Sequence, residues 1–417
     1  MNESCVNGLL VSRIRKVMSG LLSYVVVQAA NPVPMARIER VTDMRIGVPT
    51  EVKEAELRVG LTPGSVHELV RLGHDVVVQS GAGLGIGADD QAYRDQGASV
   101  ADSAAEIFDV ADMIVKVKEP QAAERAMLRH GQILFTYLHL APDPEQAKEL
   151  MASGATCIAY ETVTDDNGEL PLLAPMSKVA GRMAIQAGAH ALEASQGGAG
   201  LLLGGVPGVN SAKVVVIGGG VVGENAVEMA LGLGARVTVL DRKVEVLDEL
   251  AARFGSALET VYSTSFALSE QVLSADLVVG AVLVKGDRAP KLVTKEMVAA
   301  MRPGSVLVDV AIDQGGSMET SRPTTHSDPT YVVDGVVHYC VANMPGAVPR
   351  TSTYALNNST LPYVVTLAER GAKGALQADP HLLNGLNVAA GELTEAAVAA
   401  ALGLDHVDPA VAVATLL

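Results

Sequence analysis

Short aliphatic runs recur along the chain, separated by segments of helical period. From Met44 the runs "RIGV", "DVVVQSG", "DMIVKVKEP", "QILFTYLHL" and "TCIAYETV" follow one another, with helix-patterned stretches such as "GSVHELVRLG" between them. This alternation predicts βαβ units and a parallel sheet, because strands covered by helices on both faces read as continuous apolar runs. A second series starts at "AKVVVIGGG" and continues through "ARVTVLD", "ADLVVGAVLV", "GSVLVDVAI" and "VVHYCVANMP", which predicts a second parallel sheet. Beyond about residue 350, "LNNSTLPYVVTLAERG" and "LTEAAVAAAL" are helical in pattern and add no obvious strand series. That last part is expected to return to the first domain. The pattern predicts an α/β protein of two domains with a cleft between them.

Composition narrows the picture. A length of 417 residues is enough for two separate cores. The formal charge of −16, carried by acidic residues spread along the chain, argues against a nucleic-acid surface, which needs clustered Lys and Arg. Cys5, Cys157 and Cys340 are scattered, with no spacing suited to a disulfide framework or a zinc site, and a reducing compartment fits them. No apolar run approaches the roughly 18–20 residues of a membrane span. The expectation is a soluble, cytoplasmic protein without metal, nucleic-acid or membrane partners. Residues 1–43 hold Arg13, Arg15 and Lys16 before "GLLSYVVVQAANP", faintly like an export signal, yet a well-formed strand opens only at Met44. We read them as an N-terminal extension that need not fold.

The most informative stretch is "VVVIGGGVVGENAVEMALGLGARVTVLD". Gly218, Gly220 and Gly223 follow a run of aliphatics and precede a helix with small residues at Ala226 and Ala230. The first glycine permits a tight turn, the second lets backbone approach a pyrophosphate, and the third allows close packing of helix on strand. The N–H groups and dipole of the helix start favour the phosphate charge. Asp241 then ends the next strand where a carboxylate accepts hydrogen bonds from the adenosine ribose and repels a 2′-phosphate. NAD is therefore expected over NADP, although Arg242 and Lys243 follow directly.

Three residues suggest the chemistry. Arg58 lies in "GVPTEVKEAELRVGLTPG", between a strand and a helix, while Lys118 in "VKVKEP" and His139 in "YLHLAP" stand at C-terminal ends of apolar strands. Open α/β sheets bind ligands there. Singly, each is as well explained by a surface charge or a structural histidine; together they make a cationic site with a titratable base.

These stretches, with "LPLLAPMSKVAGRMA", "VDVAIDQGG", "SRPTTHSDPTY" and "ANMPGAVPRTSTYAL", resemble the alanine dehydrogenase family from Met44 almost to the C-terminus. The resemblance implies two Rossmann-like domains with parallel sheets, the NAD domain being inserted into a discontinuous substrate domain. The expected boundaries are 44–171 for the first part of the substrate domain, 172–349 for the NAD domain and 350–417 for C-terminal helices completing the substrate domain. It also implies a homo-oligomer, a hexamer, that converts L-alanine to pyruvate and ammonia reversibly. Carried over by position, Arg58 pairs with the substrate carboxylate and Lys118 binds the carboxylate or carbonyl oxygen. His139 is the acid/base, helped by Asp313. Ser177, Asn343 and Met344, with Met176, line the nicotinamide side, and Ser263 contacts the adenosine. Val221, Val222, Val282, Leu283, Val310 and Arg322 complete the implied NAD contacts. Hydride would pass from the alanine Cα to nicotinamide C4, and water would attack the resulting iminium. The attendant proton transfers suit an imidazole, which ordinarily titrates near neutrality.

Ala55, Gly60, Val222 and Lys178 depart from the family pattern without removing a needed chemical group. Two other readings share the scaffold: the NAD-binding subunit of a proton-translocating transhydrogenase, whose family lacks counterparts of His139 and Asp313, and a non-catalytic NAD sensor.

Overall fold

A computed structural model describes residues 43–282 and 289–416. Residues 1–42 of the proposed extension and Leu283 lie outside the described residues.

The strands form two sheets. The first contains β1 (Arg45–Val48), β2 (Asp75–Gln79), β3 (Ser99–Ala101), β4 (Met113–Val115), β5 (Ile133–Thr136) and β6 (Thr156–Ala159). The second contains β7 (Lys213–Ile217), β8 (Arg236–Asp241), β9 (Leu258–Tyr262), β10 (Leu277–Gly280), β11 (Val306–Asp309), β12 (Thr330–Val333) and β13 (Val336–Tyr339). Two further strands, β14 (Leu386–Ala389) and β15 (Glu392–Leu393), join the first sheet beside β6. Both sheets contain the order 3-2-1-4-5-6 of a doubly wound fold: β3-β2-β1-β4-β5-β6 and β9-β8-β7-β10-β11-β13. The chain is an α/β protein with two Rossmann-like, mostly parallel sheets.

Burial explains which strands the aliphatic pattern revealed. Every residue of β4, β5, β6, β10 and β11 is buried, because helices cover both faces of these inner strands. Of the strands that the pattern did not reveal, β3, β9 and β12 lie at sheet edges and are half exposed, so they carry no continuous apolar run. The segment after residue 350 is not purely helical, as had been expected. Its two short strands pair antiparallel, β14 with β6 and β15 with β14, and β12 pairs antiparallel with β13, so neither sheet is wholly parallel.

Helix α1 (Ala174–Ala191) lies on β10, β11 and β13 and against helix α2 (Val221–Gly232). A Cβ on Gly181 would stand 2.1 Å from the Val222 carbonyl oxygen, which shows how closely the two helices approach. The long helix α3 (Pro349–Ala378), kinked at Gly371, packs on α1. Its buried Asn357 accepts the Thr62 N–H at 2.7 Å and donates to the Gly60 carbonyl at 2.9 Å. The C-terminal part of the chain thereby holds the segment that carries Arg58. Among the described residues no helix is long and apolar enough to cross a membrane.

Candidate active site

The strand order opens a crevice in each sheet where neighbouring loops diverge, between β1 and β4 in the first and between β7 and β10 in the second. Arg58 lies on the segment leaving β1 and Lys118 shortly after β4, while the glycine loop leaves β7 and Val282 follows β10. One cavity of about 140 Å³ is bordered from both sides. Arg58, Lys118 and His139 face Val282, Val310 and Asp313 across it, with Met176 and Ser177 from α1, Val222 from α2 and Asn343.

Arg58 is buried, and its charge is already paired. Nε and Nη2 donate to the Glu56 carboxylate at 2.6 and 2.5 Å, and Nη2 also reaches Asn343 Oδ1 at 2.9 Å. Asn343, held at a left-handed φ of 56°, returns its amide to Glu56 at 3.0 Å. Burial alone would raise the Glu56 carboxyl, but the hydrogen bonds and charge of Arg58 outweigh it and hold the group below its ordinary value. The Nε–Nη2 edge of the guanidinium is thus engaged by Glu56. Nη1, 3.0 Å from Met176 Sδ, remains for a ligand.

The Lys118 ammonium takes no hydrogen-bonding partner among the described residues. Burial lowers its pKa from the ordinary 10.5, the nearby charges of Arg58 and Lys53 add to this, and Glu119 and Asp313 oppose it. An ammonium desolvated in this way gains most from a ligand anion.

His139 follows β5 with a φ of 49°, a left-handed conformation unusual for a residue with a Cβ. The cause is local: the Glu161 carboxylate collects the N–H groups of His139 at 2.6 Å and Leu138 at 3.1 Å. His139 Nδ1 lies 3.8 Å from the same carboxylate, and the ring stacks on Tyr137 at 5.7 Å between centroids. The Tyr137 hydroxyl is anchored on the Leu172 carbonyl at 2.6 Å. Strained backbone of this kind persists only where the surroundings over-determine it, and it concentrates at functional sites.

Asp313 is exposed in the short 3₁₀ turn Val310–Gln314. Asp309, fully buried at the end of β11, shapes this turn by accepting the N–H groups of Ala311 at 3.2 Å, Ser317 at 2.8 Å and Met318 at 3.3 Å. The Ser321 hydroxyl donates to the same carboxylate at 2.5 Å.

The glycine loop fits a dinucleotide. A Cβ on Gly223 would stand 1.8 Å from the Gly218 carbonyl oxygen, so this close approach excludes any side chain, whereas a Cβ on Gly220 would meet nothing within 4 Å. Gly220 thus borders open space at the start of α2, where no side chain caps the first-turn N–H groups. Asp241 accepts the N–H of Gly219 at 2.7 Å and of Lys243 at 2.9 Å, which fixes its carboxylate beside the loop. Ser263 lies just past β9, its N–H bound to the Asp241 carbonyl at 2.9 Å.

Gly218, Gly220, Val221, Gly223, Asp241 and Ser263 do not line the cavity itself. Two further expected contacts are not brought to the cavity wall: Met344 is buried, and the exposed Arg322 guanidinium lies 4.0 Å from the Tyr331 ring centroid. Glu56, Tyr137, Glu161 and Asp309 did not stand out in the sequence. Glu161 follows β6 as Lys118 follows β4 and His139 follows β5, so the same strand-end criterion would have found it.

The fold and the site define a Rossmann-type α/β protein with a glycine loop after β7 and a ligand cavity lined by the buried Arg58 and the partly buried Lys118. Family models extend this: residues 47–180 match "Alanine dehydrogenase/PNT, N-terminal domain" and residues 184–396 match "Alanine dehydrogenase/PNT, C-terminal domain". The chain belongs to the alanine dehydrogenase/PNT family. An alanine dehydrogenase of Halomonas elongata is 61% identical over 367 residues, covering 88% of this chain and 99% of that protein. A solved L-alanine dehydrogenase superposes with a TM-score of 0.84 at 55% identity, over 86% of this chain and 99% of that one. A transhydrogenase structure from Sinorhizobium meliloti superposes with a TM-score of 0.72 at 27% identity, over 85% and 99%.

Proposed function

We infer that the chain is an NAD-dependent alanine dehydrogenase, which converts L-alanine reversibly to pyruvate and ammonia. The observation that carries this reading is the cavity lined by the cations Arg58 and Lys118 and the left-handed His139, together with Val222 from the helix that follows the glycine loop. Relatives with the printed name alanine dehydrogenase match almost their full length.

The substrate carboxylate is met by Arg58 Nη1 and the Lys118 ammonium, since the other edge of Arg58 is engaged by Glu56. Single charge-assisted contacts from two fixed cations orient the Cα of the substrate. NAD bound here would supply the acceptor for the hydride from that Cα. Gly218, Gly220, Val221, Val222 and Gly223 would hold its pyrophosphate, Asp241 and Ser263 its adenosine, and Met176, Ser177, Val282, Val310 and Asn343 its nicotinamide side. His139 moves protons through Nε2, because Nδ1 faces Glu161. With the substrate amine uncharged, hydride loss leaves an iminium; His139 takes a proton from the water that attacks it, passes that proton to the nitrogen so that ammonia leaves, and takes the remaining hydroxyl proton as the carbonyl forms, with Asp313 bordering the same space. Tyr137, Leu173 and Met176 make an apolar wall that limits water around the reacting carbon.

The sheet membership of the strands supports a discontinuous substrate domain, 44–171 with 350–417, and an NAD domain of 172–349. Hexameric assembly and a cytoplasmic site of action complete the proposal. The deciding assay follows NADH formation from L-alanine by the purified chain. Tight NAD binding without NADH formation would leave a sensor, and hydride exchange between NADH and an NADP analogue without alanine turnover would leave a transhydrogenase subunit.

A further inference from the structure

Three charged side chains lie buried directly beneath the substrate cations and take no part in the chemistry above. Lys116 is fully buried between β4 and Lys118, and its Nζ donates to Glu51 Oε2 at 3.1 Å and to Glu124 Oε1 at 2.6 Å. Glu124 spends its second oxygen on the Gln121 N–H at 2.8 Å, which closes the start of the short helix Ala122–Arg125. Glu51 does something different. It lies on the segment leaving β1, which also carries Arg58, and its carboxylate reaches across to the strand end that carries Lys118. There Oε1 accepts the Val117 N–H at 2.6 Å and Oε2 the Lys118 N–H at 3.3 Å.

We propose that Glu51, held in place by Lys116, is a positioning residue that sets the spacing between Arg58 and Lys118 and so the grip on the substrate carboxylate.

Two cations that arrive from different strands have no covalent reason to keep a fixed separation. Glu51 supplies a bridge, because one carboxylate is bonded to the backbone of Lys118 itself while belonging to the Arg58 segment. The approach is tight: a Cβ on Gly60 would stand 2.3 Å from the Val115 carbonyl oxygen, so this segment rests directly on the end of β4. The Tyr160 hydroxyl closes the network by donating to the Lys116 carbonyl at 3.0 Å. Burying three ionic groups is expensive, and apolar contacts could join a loop to a strand with less desolvation. A carboxylate is needed if two N–H groups in a row must be held from one side. Burial pushes Glu51 upward in pKa, and the attraction of Lys116 and the Val117 N–H pull it back only in part. Burial likewise opposes the Lys116 charge, but Glu51 and Glu124 outweigh it and raise that group.

The inference rests on Arg58 and Lys118 being the substrate-carboxylate ligands. Glu51→Gln keeps the side-chain size but puts an amide donor either against the Val117 N–H or against both Lys116 Nζ and the Lys118 N–H. The expected result is a KM for alanine and for pyruvate raised about tenfold or more, a smaller fall in kcat and unchanged NADH affinity by calorimetry. Glu124→Gln removes a carboxylate from the same lysine without touching the Lys118 backbone, and its KM should stay within about twofold of the parent. If Glu51→Gln does not fold, Glu51→Asp keeps the charge but shortens the reach and should raise KM in the same way. An unchanged KM in the folded Glu51 variant would overturn the proposal. So would an equal rise in Glu124→Gln, since the effect would then be a general cost of disturbing buried charge. A parent chain that forms no NADH from alanine would instead refute the underlying assignment of the two cations.

Discussion

The two sides of the proposed active site would hold their ligands by opposite means. On the nucleotide side the loop from Gly218 to Gly223 offers backbone and space: uncapped N–H groups, an open position at Gly220 and a carbonyl pressed against Gly223. On the substrate side each functional residue is set by a carboxylate, with Glu56 on Arg58, Glu51 on the backbone of Lys118 and Glu161 on the backbone of His139. The difference follows from the ligands. A pyrophosphate is large and doubly charged, so a helix start can hold it without side chains. A three-carbon acid offers few contacts, and its orientation depends on cations placed to within a fraction of an ångström.

The comparison can be broken most sharply at His139. His139→Ala should lower turnover by roughly 10²–10⁴-fold while NAD binding persists, because general acid/base help is lost and the nucleotide side is untouched. Parallel loss of NAD affinity, measured by calorimetry, would show that the two sides are not separable.

The reciprocal change is Gly223→Ala. Its Cβ would collide with the Gly218 carbonyl oxygen at 1.8 Å, so the loop must open. NAD affinity should fall about tenfold or more, since the N–H groups no longer converge on the pyrophosphate. A ternary-complex KM for alanine extrapolated to saturating NAD should change much less.

A smaller effect is expected from pH. The Lys118 pKa is lowered by burial, with help from Arg58 and Lys53, so its charge disappears as pH rises through a value below 10.5. Pyruvate, which does not itself titrate in that range, should bind the NADH complex more weakly as the solution becomes alkaline. Lys118→Arg keeps its charge and should abolish this alkaline weakening even if its affinity is lower throughout. Persistence of the weakening in the arginine variant would assign it to another group.

The mildest change should come from Asp241→Ala, which removes the carboxylate that disfavours a 2′-phosphate and should bring NADP closer to parity with NAD. An unchanged ratio of kcat/KM for the two cofactors would take the ribose away from Asp241.

Legibility in the sequence follows the same divide. The glycine loop was readable because its logic is local: turn, open position, close approach and the acid at the end of β8 all fall between residues 214 and 241. Most inner strands were readable because burial on both faces makes them aliphatic throughout, whereas β14, buried but interrupted by Asn387, and β3, β9 and β12 at the edges were not. Arg58, Lys118 and His139 could be singled out by their places after strands. Their geometry could not: Arg58 is held in an ion pair with Glu56, only two residues earlier.

What the sequence determined by itself is the α/β architecture, the glycine loop and the types of side chain at the strand ends, since each depends on residues close together in the chain. The tertiary structure decided how those side chains are aimed. Glu51 meets Lys118 across 67 positions, Asn343 meets Arg58 across 285, and Asn357 meets Thr62 across 295. Such pairings carry no periodic signal, because a buried charge chooses its partner by distance in space, and only the packing of β1 against β4 and of α3 against the Arg58 segment brings these partners within reach.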